Sequence, residues 1–313
     1  MVNLPQAIGI DVSKATLDVY DPVLGSFRTT NDEAGLQSLV LRLSRGYPVC
    51  LECSGGYERL ARHGLSAAGF EVRALNPRKV SRLADARVHH AKTDVLDARL
   101  LSEVGLLVVP CSTVSPDREA LLDRSRHIAR LSVRMGAVKA QRRKPGQPAE
   151  VLASLDRELA YLEQEHKSFR DSVQRDLRTS RYWARYQLVL SICGFGPDAA
   201  RILALELPEC LDDYSSKQIC AYAGLAPMAR SSGTKDGPRH ILPGQVHLKR
   251  ILYMVFLCQL THRPDRRQFY DRLRAAGKSH QCAAVAVMHK ALKEALSVLR
   301  RGTRWTKENH AVT

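Results

Sequence analysis

The sequence predicts a mixed α/β N-terminal domain with a parallel portion, then a coiled-coil helical segment, then a mainly α-helical C-terminal domain. Three observations carry this reading. Strand patterns cluster ahead of Pro110 and alternate there with helical ones. A near 3-4 apolar repeat runs for about 25 residues from Leu152. Beyond it, helical spacing is interrupted only by Gly/Pro loops. The expected boundaries in this 313-residue chain are 1–110, 111–185 and 186–313.

Taken in order, residues 6–20 read as a strand, a tight turn and a second strand, because Ile8, Ile10 and Val12 alternate at period two. Phe27–Thr30 is a third strand. Glu33–Arg45 places Leu36, Leu39, Val40 and Leu43 at helical spacing. Val49–Cys53 is a short apolar strand, Tyr57–Ala68 a helix and Glu71–Leu75 a strand that Asn76-Pro77 ends. Arg78–Arg87, Thr93–Leu107 and Arg118–Val138 are helical. Lys139, Arg142, Arg143 and Lys144 then lead into a Pro-Gly-Gln-Pro break. Leu152, Leu155, Leu159, Leu162, His166, Phe169, Val173 and Leu177 form either an antiparallel coiled-coil arm or oligomer contact, making 111–185 a linker and oligomerisation segment, or one long helix packed on its own domain. The last third reads as short helices.

Forty-eight Lys plus Arg against 32 Asp plus Glu leave a net charge of +16. The excess is uneven: net +1 up to Pro110, +6 from Cys111 to Leu190 and +9 from Ser191 onward. A basic body beside a near-neutral domain points to polyanion binding alongside a separate chemical centre, the alternative being a solvated basic surface. Hydrophobic residues at 44% exclude wholesale disorder. The longest apolar run, Ile251–Cys258, falls far short of the roughly 18 residues a membrane span needs, so no membrane partner is expected. Eight cysteines without an export pattern read as reduced thiols, and Cys50-x-x-Cys53 lacks a second pair at zinc spacing.

Four carboxylates stand out. Asp11 interrupts the apolar run Gly9-Ile10-Asp11-Val12, and Glu52 does the same in Val49-Cys50-Leu51-Glu52. A charge on a core strand is costly unless it is paired or bound to a metal. Asp94 and Asp97 lie three apart, on one face of a helix. Together they can converge on two Mg²⁺ ions, because hard oxygen donors suit Mg²⁺ and a metal pair serves phosphoryl transfer. Ordinary surface carboxylates are the competing reading, and Asp18 is expected to be one of these.

Gly9-Ile-Asp11-Val-Ser-Lys14, Glu52 before Ser-Gly-Gly-Tyr57-Glu58, and Lys92-Thr-Asp94-Val-Leu-Asp97 resemble the blocks of the Asp-Glu-Asp-Asp (DEDD) transposases of insertion sequences. The resemblance implies a RuvC-like, ribonuclease-H-like fold for the N-terminal domain, with Asp11, Glu52, Asp94 and Asp97 as ligands of Mg²⁺ (two ions, with Mn²⁺ as the alternative). It extends over most of the chain. Cys220-Ala-Tyr-Ala-Gly-Leu-Ala-Pro227-Met-Ala-Arg-Ser231-Ser232-Gly233-Thr-Lys235, which by itself reads as a small-residue helix end and an exposed flexible loop, resembles the block that holds a nucleophilic serine in the same family. Ser232, beside Gly233, aligns with that serine and Ser231 is the close alternative. The family's serine attacks DNA to form a phosphoserine link, with the carboxylates completing a composite centre. The chain departs from the pattern after Arg239: Leu242-Pro243-Gly244-Gln245 and Leu248-Lys249-Arg250 stand where the family has a lysine, a glycine and an asparagine before a Leu-Arg pair.

Ile192-Cys-Gly194-Phe-Gly196-Pro-Asp-Ala-Ala-Arg201 resembles a helix-hairpin-helix turn, whose amides approach DNA phosphate, and a plain helix-linking turn is the alternative. The expected nucleic-acid contacts are therefore Lys139, Arg142, Arg143, Lys144, Gly194, Gly196, Arg201, Lys235, Arg239, Lys249 and Arg250. Arg181-Tyr-Trp183-Ala-Arg185-Tyr186 suits either stacking on unpaired bases or inward packing. The family resemblance further implies donor and target duplex DNA, a structured guide (bridge) RNA, a dimeric or tetrameric assembly, and a bacterial cytoplasmic, nucleoid-associated location. A RuvC-like Holliday-junction nuclease without a covalent intermediate is the rival enzyme, and a non-catalytic nucleic-acid-binding protein is the rival from another class.

Overall fold

The computed structural model describes residues 6–53, 55–86, 94–108, 110, 115–228, 231–232, 235–236, 240–241 and 244–306. The side chains of Asp94 and of residues 227–241 lie outside the described set. The chain divides into two compact units, Met1–Pro116 and Asp117–Thr313.

In the first unit, β1 (Ile8–Val12), β2 (Thr16–Asp21) and β3 (Gly25–Thr30) follow one another as antiparallel neighbours. Next come α1 (Glu33–Arg42), β4 (Val49–Glu52), α2 (Arg59–Ala67), β5 (Val72–Leu75), α3 (Pro77–Ala86) and α4 (Asp94–Val104). The sheet order is β3-β2-β1-β4-β5, with β4 parallel to both β1 and β5. Ile8, Ile10, Val12, Val49 and Leu51 point to one face and pack on Leu36 and Leu39 of α1 and on Ala61 and Leu65 of α2. Ala7 and Cys50 face the other way, toward Val80 of α3 and Leu101 and Val104 of α4. Strands covered on both faces read as near-continuous apolar runs, and each fully buried Leu or Ile contributes roughly 2 kcal/mol. Two carboxylates serve the fold. Asp32 caps α1 by accepting the Gly35 N–H at 2.8 Å. Buried Asp21 accepts the N–H groups of Val23 and Ser44 at 2.8 and 2.9 Å.

In the second unit, α5 (Pro116–Arg142) and α6 (Ala149–Thr179) form an antiparallel pair around Leu131, Val138, Leu155 and Leu162. Arg124–Asp176, Lys139–Glu163 and Arg142–Asp156 bridge the two helices at 2.5, 3.0 and 2.5 Å. The 3-4 repeat thus builds a helical hairpin within this unit. There follow α7 (Trp183–Leu190), α8 (Pro197–Glu206) and α9 (Ser216–Tyr222), the last opened by a capping box of Ser215 and Gln218. Four two-residue strands come next: β6 (Pro227–Met228), β7 (Ser231–Ser232), β8 (Lys235–Asp236) and β9 (His240–Ile241). The chain then runs through α10 (Val246–His262), α11 (Pro264–Ala275) and α12 (His280–Arg301). Short helices were expected throughout this region, but α10 and α12 have 17 and 22 residues. Both are long because each carries an uninterrupted buried stripe: Leu248, Leu252, Val255 and Phe256 in one, Val287, Ala291, Leu292 and Leu296 in the other. Buried Glu294 gathers Arg263 at 3.2 Å, Arg266 at 2.8 Å and the indole N–H of Trp305 at 2.7 Å. Among the described residues, no helix is long and apolar enough to cross a membrane.

Candidate active site

The ladder between β1 and β4 pairs Gly9 with Cys50 and Ile10 with Leu51. The next position on each strand is a carboxylate, Asp11 on one and Glu52 on the other. Strand alternation turns both off the α1/α2 core and onto the face that α4 covers. The direction of α4 follows from two contacts. Ser102 Oγ donates to Ala7 O at 2.5 Å, at the start of β1. Ala98 lies against Gly9 so closely that a Cβ on Gly9 would stand 1.9 Å from the Ala98 carbonyl oxygen. The helix therefore runs antiparallel to β1. From Ala98 back to Asp94 is about 6 Å of helix, and from Gly9 on to Asp11 is about 7 Å of strand. The first turn of α4, Asp94 to Asp97, thus overlies the carboxyl ends of β1 and β4. Asp11, Glu52 and Asp97 are half-buried there.

This donor set is all oxygen, which fits a hard divalent cation. The amino end of α4 also favours nearby negative charge. Among the described residues, no three His, Cys, Asp or Glu side chains are gathered at metal-holding distance. Asp18 corrects an expectation. It is the cross-strand partner of Asp11 and is buried rather than solvated, with Arg28 of β3 donating to it at 2.8 Å. Cys50 is buried and its thiol is pushed up to about 11 by burial, so it stays protonated in the core.

In the second unit the serine block carries two short antiparallel ladders. β6 pairs antiparallel with β9, and β7 with β8, in register Ser231↔Asp236 and Ser232↔Lys235. Ser231 and Ser232 are the two residues of β7. The root of the block is tight. A Cβ on Gly244 would stand 2.1 Å from the Gly224 nitrogen, Gly224 has φ +71°, and Gln245 N–H donates to Tyr222 O at 3.0 Å. Below the root, Tyr222 Oη donates to the Glu206 carbonyl at 3.3 Å, and the Glu206 carboxylate holds Arg126 at 2.9 and 3.1 Å. Burial, then the Glu206 charge, push the Tyr222 phenol pKa up, which suits a donor and not a nucleophile. Lys249 and Arg250 lie in the first turns of α10, half-buried and exposed respectively. Arg239 falls outside the described residues.

The Gly-x-Gly turn does join two packed helices, α7 and α8. Gly194 has φ +93°, and a Cβ there would meet Gln259 Cγ at 2.5 Å. Gln259 Nε2 in turn donates to Cys193 O at 3.1 Å, so α10 covers this part of the turn. Gly196 caps α8 with open space around it. Arg201, expected to face phosphate, is a correction: it is buried and paired with Asp198 at 2.7 Å, one helical turn earlier. Lys139 and Arg142 are engaged in the α5/α6 rungs, whereas Arg143 and Lys144 are exposed at the hairpin tip. Tyr182 and Tyr186 are buried, and Arg185 donates to Pro208 O at 3.1 Å. Burial, reinforced by Arg118, lowers the Arg185 pKa to about 10. The aromatic-arginine stretch therefore packs inward.

The sequence matches two family models. Residues 8–144 match a DEDD model of the IS110 group described as a transposase, and residues 186–271 match one described as the transposase IS116/IS110/IS902 family. An insertion element IS110 uncharacterized 43.6 kDa protein of Streptomyces coelicolor is 30% identical over 117 residues, covering 37% of this chain and 29% of the relative. An insertion element IS900 uncharacterized 42 kDa protein of Mycobacterium paratuberculosis is 31% identical over 163 residues, covering 50% of this chain and 39% of the relative. The matched stretches thus span well under half of either relative.

Proposed function

The chain belongs to the DEDD transposase family of IS110-type insertion elements, and from that premise we propose that it cuts and rejoins DNA strands with a carboxylate centre and a serine nucleophile. The observation that supports the reading is that Asp11, Glu52 and the first turn of α4 lie at the same end of the sheet. Asp11, Glu52, Asp94 and Asp97 would hold Mg²⁺, which would supply positive charge against the charge developing in phosphoryl transfer. Ser232, with Ser231 as the alternative, attacks the scissile phosphate. A serine Oγ–phosphorus bond forms as the bond to the departing deoxyribose oxygen breaks. The serine proton passes to a carboxylate or water, and the departing oxygen leaves as a hydroxyl. Attack by the incoming strand's hydroxyl on the phosphoserine then rejoins DNA and releases the serine.

Lys235, Arg239, Lys249 and Arg250, near the serine in sequence, contribute charge toward phosphate. Arg143 and Lys144 at the hairpin tip offer cations to a structured guide RNA, and Gly196 offers open backbone at the head of α8. The same family reading extends to an assembly of two or four copies.

A denaturing gel for protein–DNA adducts tests the mechanism, using wild type, Ser231→Ala, Ser232→Ala and Asp11→Asn with Mg²⁺, donor and target DNA and the element's noncoding RNA. An adduct lost with one serine change and with Asp11→Asn supports it. Cleavage that proceeds without any adduct and ignores both serines transfers the reading to a RuvC-like nuclease.

A further inference from the structure

The β1/β4 ladder ends at Ile10↔Leu51, one residue short of Asp11 and Glu52. Past that rung each strand keeps its outer neighbour, Asp11 opposite Asp18 and Glu52 opposite Leu75. One enters the Ser13–Thr16 turn, closed by Ser13 N–H to Thr16 O at 2.9 Å. The other enters the segment after Glu52, where Gly55 and Gly56 have φ of +68° and +105° and buried Glu58 accepts the Gly56 N–H at 2.9 Å. Asp11 and Glu52 are thus each held by an outer strand, and a link between the two segments that follow them bears on their spacing across the β1/β4 seam.

We infer that Asn31 is a positioning residue of the carboxylate centre, clamping the turn after Asp11 to the loop after Glu52. This rests on the proposed metal-holding role of those carboxylates. Asn31 Nδ2 donates to Ser13 O at 2.8 Å and to Tyr57 O at 3.0 Å, bridging segments 18 and 26 residues away. Its own backbone is pinned, because its N–H donates to Ala15 O at 2.9 Å. The chemistry requires an amide. One nitrogen must carry two donors to two carbonyls, which Asp, Ala and Leu cannot supply. Among the described residues nothing donates to the buried Asn31 Oδ1, and the side chain's hydrogen bonds there run through its NH₂ group.

The test is Mn²⁺ binding by the full chain, read by electron paramagnetic resonance of the free ion, with melting in EDTA alongside. The variants are Asn31→Ala, Asn31→Asp and the neighbouring cap change Asp32→Ala. Asn31→Ala and Asn31→Asp are expected to raise the Mn²⁺ dissociation constant about 10-fold, the low end for residues that orient metal ligands. Asp32→Ala is expected to lower the melting temperature while binding Mn²⁺ as wild type does. Asn31→Asp is informative because its added negative charge alone would tighten Mn²⁺, so weakening reports on position. Wild-type affinity in both Asn31 variants overturns the inference and leaves the carboxylate reading standing. A wild-type chain that takes up no Mn²⁺ overturns both.

Discussion

The two units hold the proposed reactive positions in different ways. In the first, Asp11 and Glu52 extend central strands that are paired on both sides and covered on both faces, and Gly9 lets α4 descend onto the same strand. In the second, Ser231 and Ser232 stand on two-residue strands whose hold on the helical body runs through a glycine root at Gly224 and Gly244. Under the proposed function, the sheet preorganises the carboxylates while Asn31 ties together the segments that follow them. The proposed serine would be aimed by its root, so that changes there would act on the chemistry from a distance.

Four experiments would break or sharpen this contrast. Asp11→Asn is the largest: strand cleavage should fall about 10³-fold or more, because the donor set loses a charge where the phosphoryl charge develops. Its melting temperature should stay near wild type, since the Asp11 side chain is half-buried on the face away from the α1/α2 core and Asn keeps its size. Cleavage at the wild-type rate would remove the strand-end carboxylates from the chemistry. Next comes a matched glycine pair. Gly9→Ala drives a methyl into the Ala98 carbonyl and should cost about 3 kcal/mol in urea unfolding, with Mn²⁺ uptake lost as α4 is displaced. Gly244→Ala meets the Gly224 backbone and should cost about 1–3 kcal/mol, abolish the covalent adduct and leave Mn²⁺ uptake intact. If Gly244→Ala still formed adduct normally, the root would not aim the serine.

Two smaller effects concern the supports. Arg126→Met strands the buried Glu206 carboxylate beneath the root of the serine block. About 2 kcal/mol should be lost in thermal unfolding, less than for a fully buried pair because Arg126 is partly exposed. The smallest is a pH effect in the first unit. Burial alone would raise the Asp21 pKa, but the N–H groups of Ser44, Val23 and Leu24 prevail and hold it below the ordinary 3.8. A depressed carboxyl contributes stability above its unfolded value and loses it as pH falls through the folded one. Asp21→Asn should therefore cost about 1 kcal/mol at neutral pH, and its melting temperature should fall less than wild type's between pH 5 and about 2. Parallel acid curves for the two proteins would refute this role.

What was legible in the sequence was local. Period-two alternation of Ile8, Ile10 and Val12 marks β1 and exposes Asp11 as a charge out of place, and the same holds for Glu52 after Leu51. The near 3-4 repeat of Leu155, Leu162 and Val173 marks the helical hairpin. What was not legible depends on register or on backbone partners. Asp18 looks like a solvated strand residue until the β2/β3 register sets Arg28 across from it. The serine block has ladders of two residues, too short to leave a periodic trace. Asn31 bonds only to backbone carbonyls, which no residue pattern encodes. Arg201 is the exception, because Asp198 one turn earlier was visible and predicts the ion pair that takes it out of contention for phosphate.

The most direct measurement of the central claim is iron-directed cleavage of the polypeptide itself. Fe²⁺ in place of Mg²⁺, with ascorbate and peroxide, generates radicals that cut the backbone next to the bound ion. The account predicts cuts clustered around residues 11, 52 and 94–97, all suppressed by excess Mg²⁺ and absent from Asp11→Asn. Cuts confined to other segments, or unaffected by Mg²⁺ and by Asp11→Asn, would contradict it.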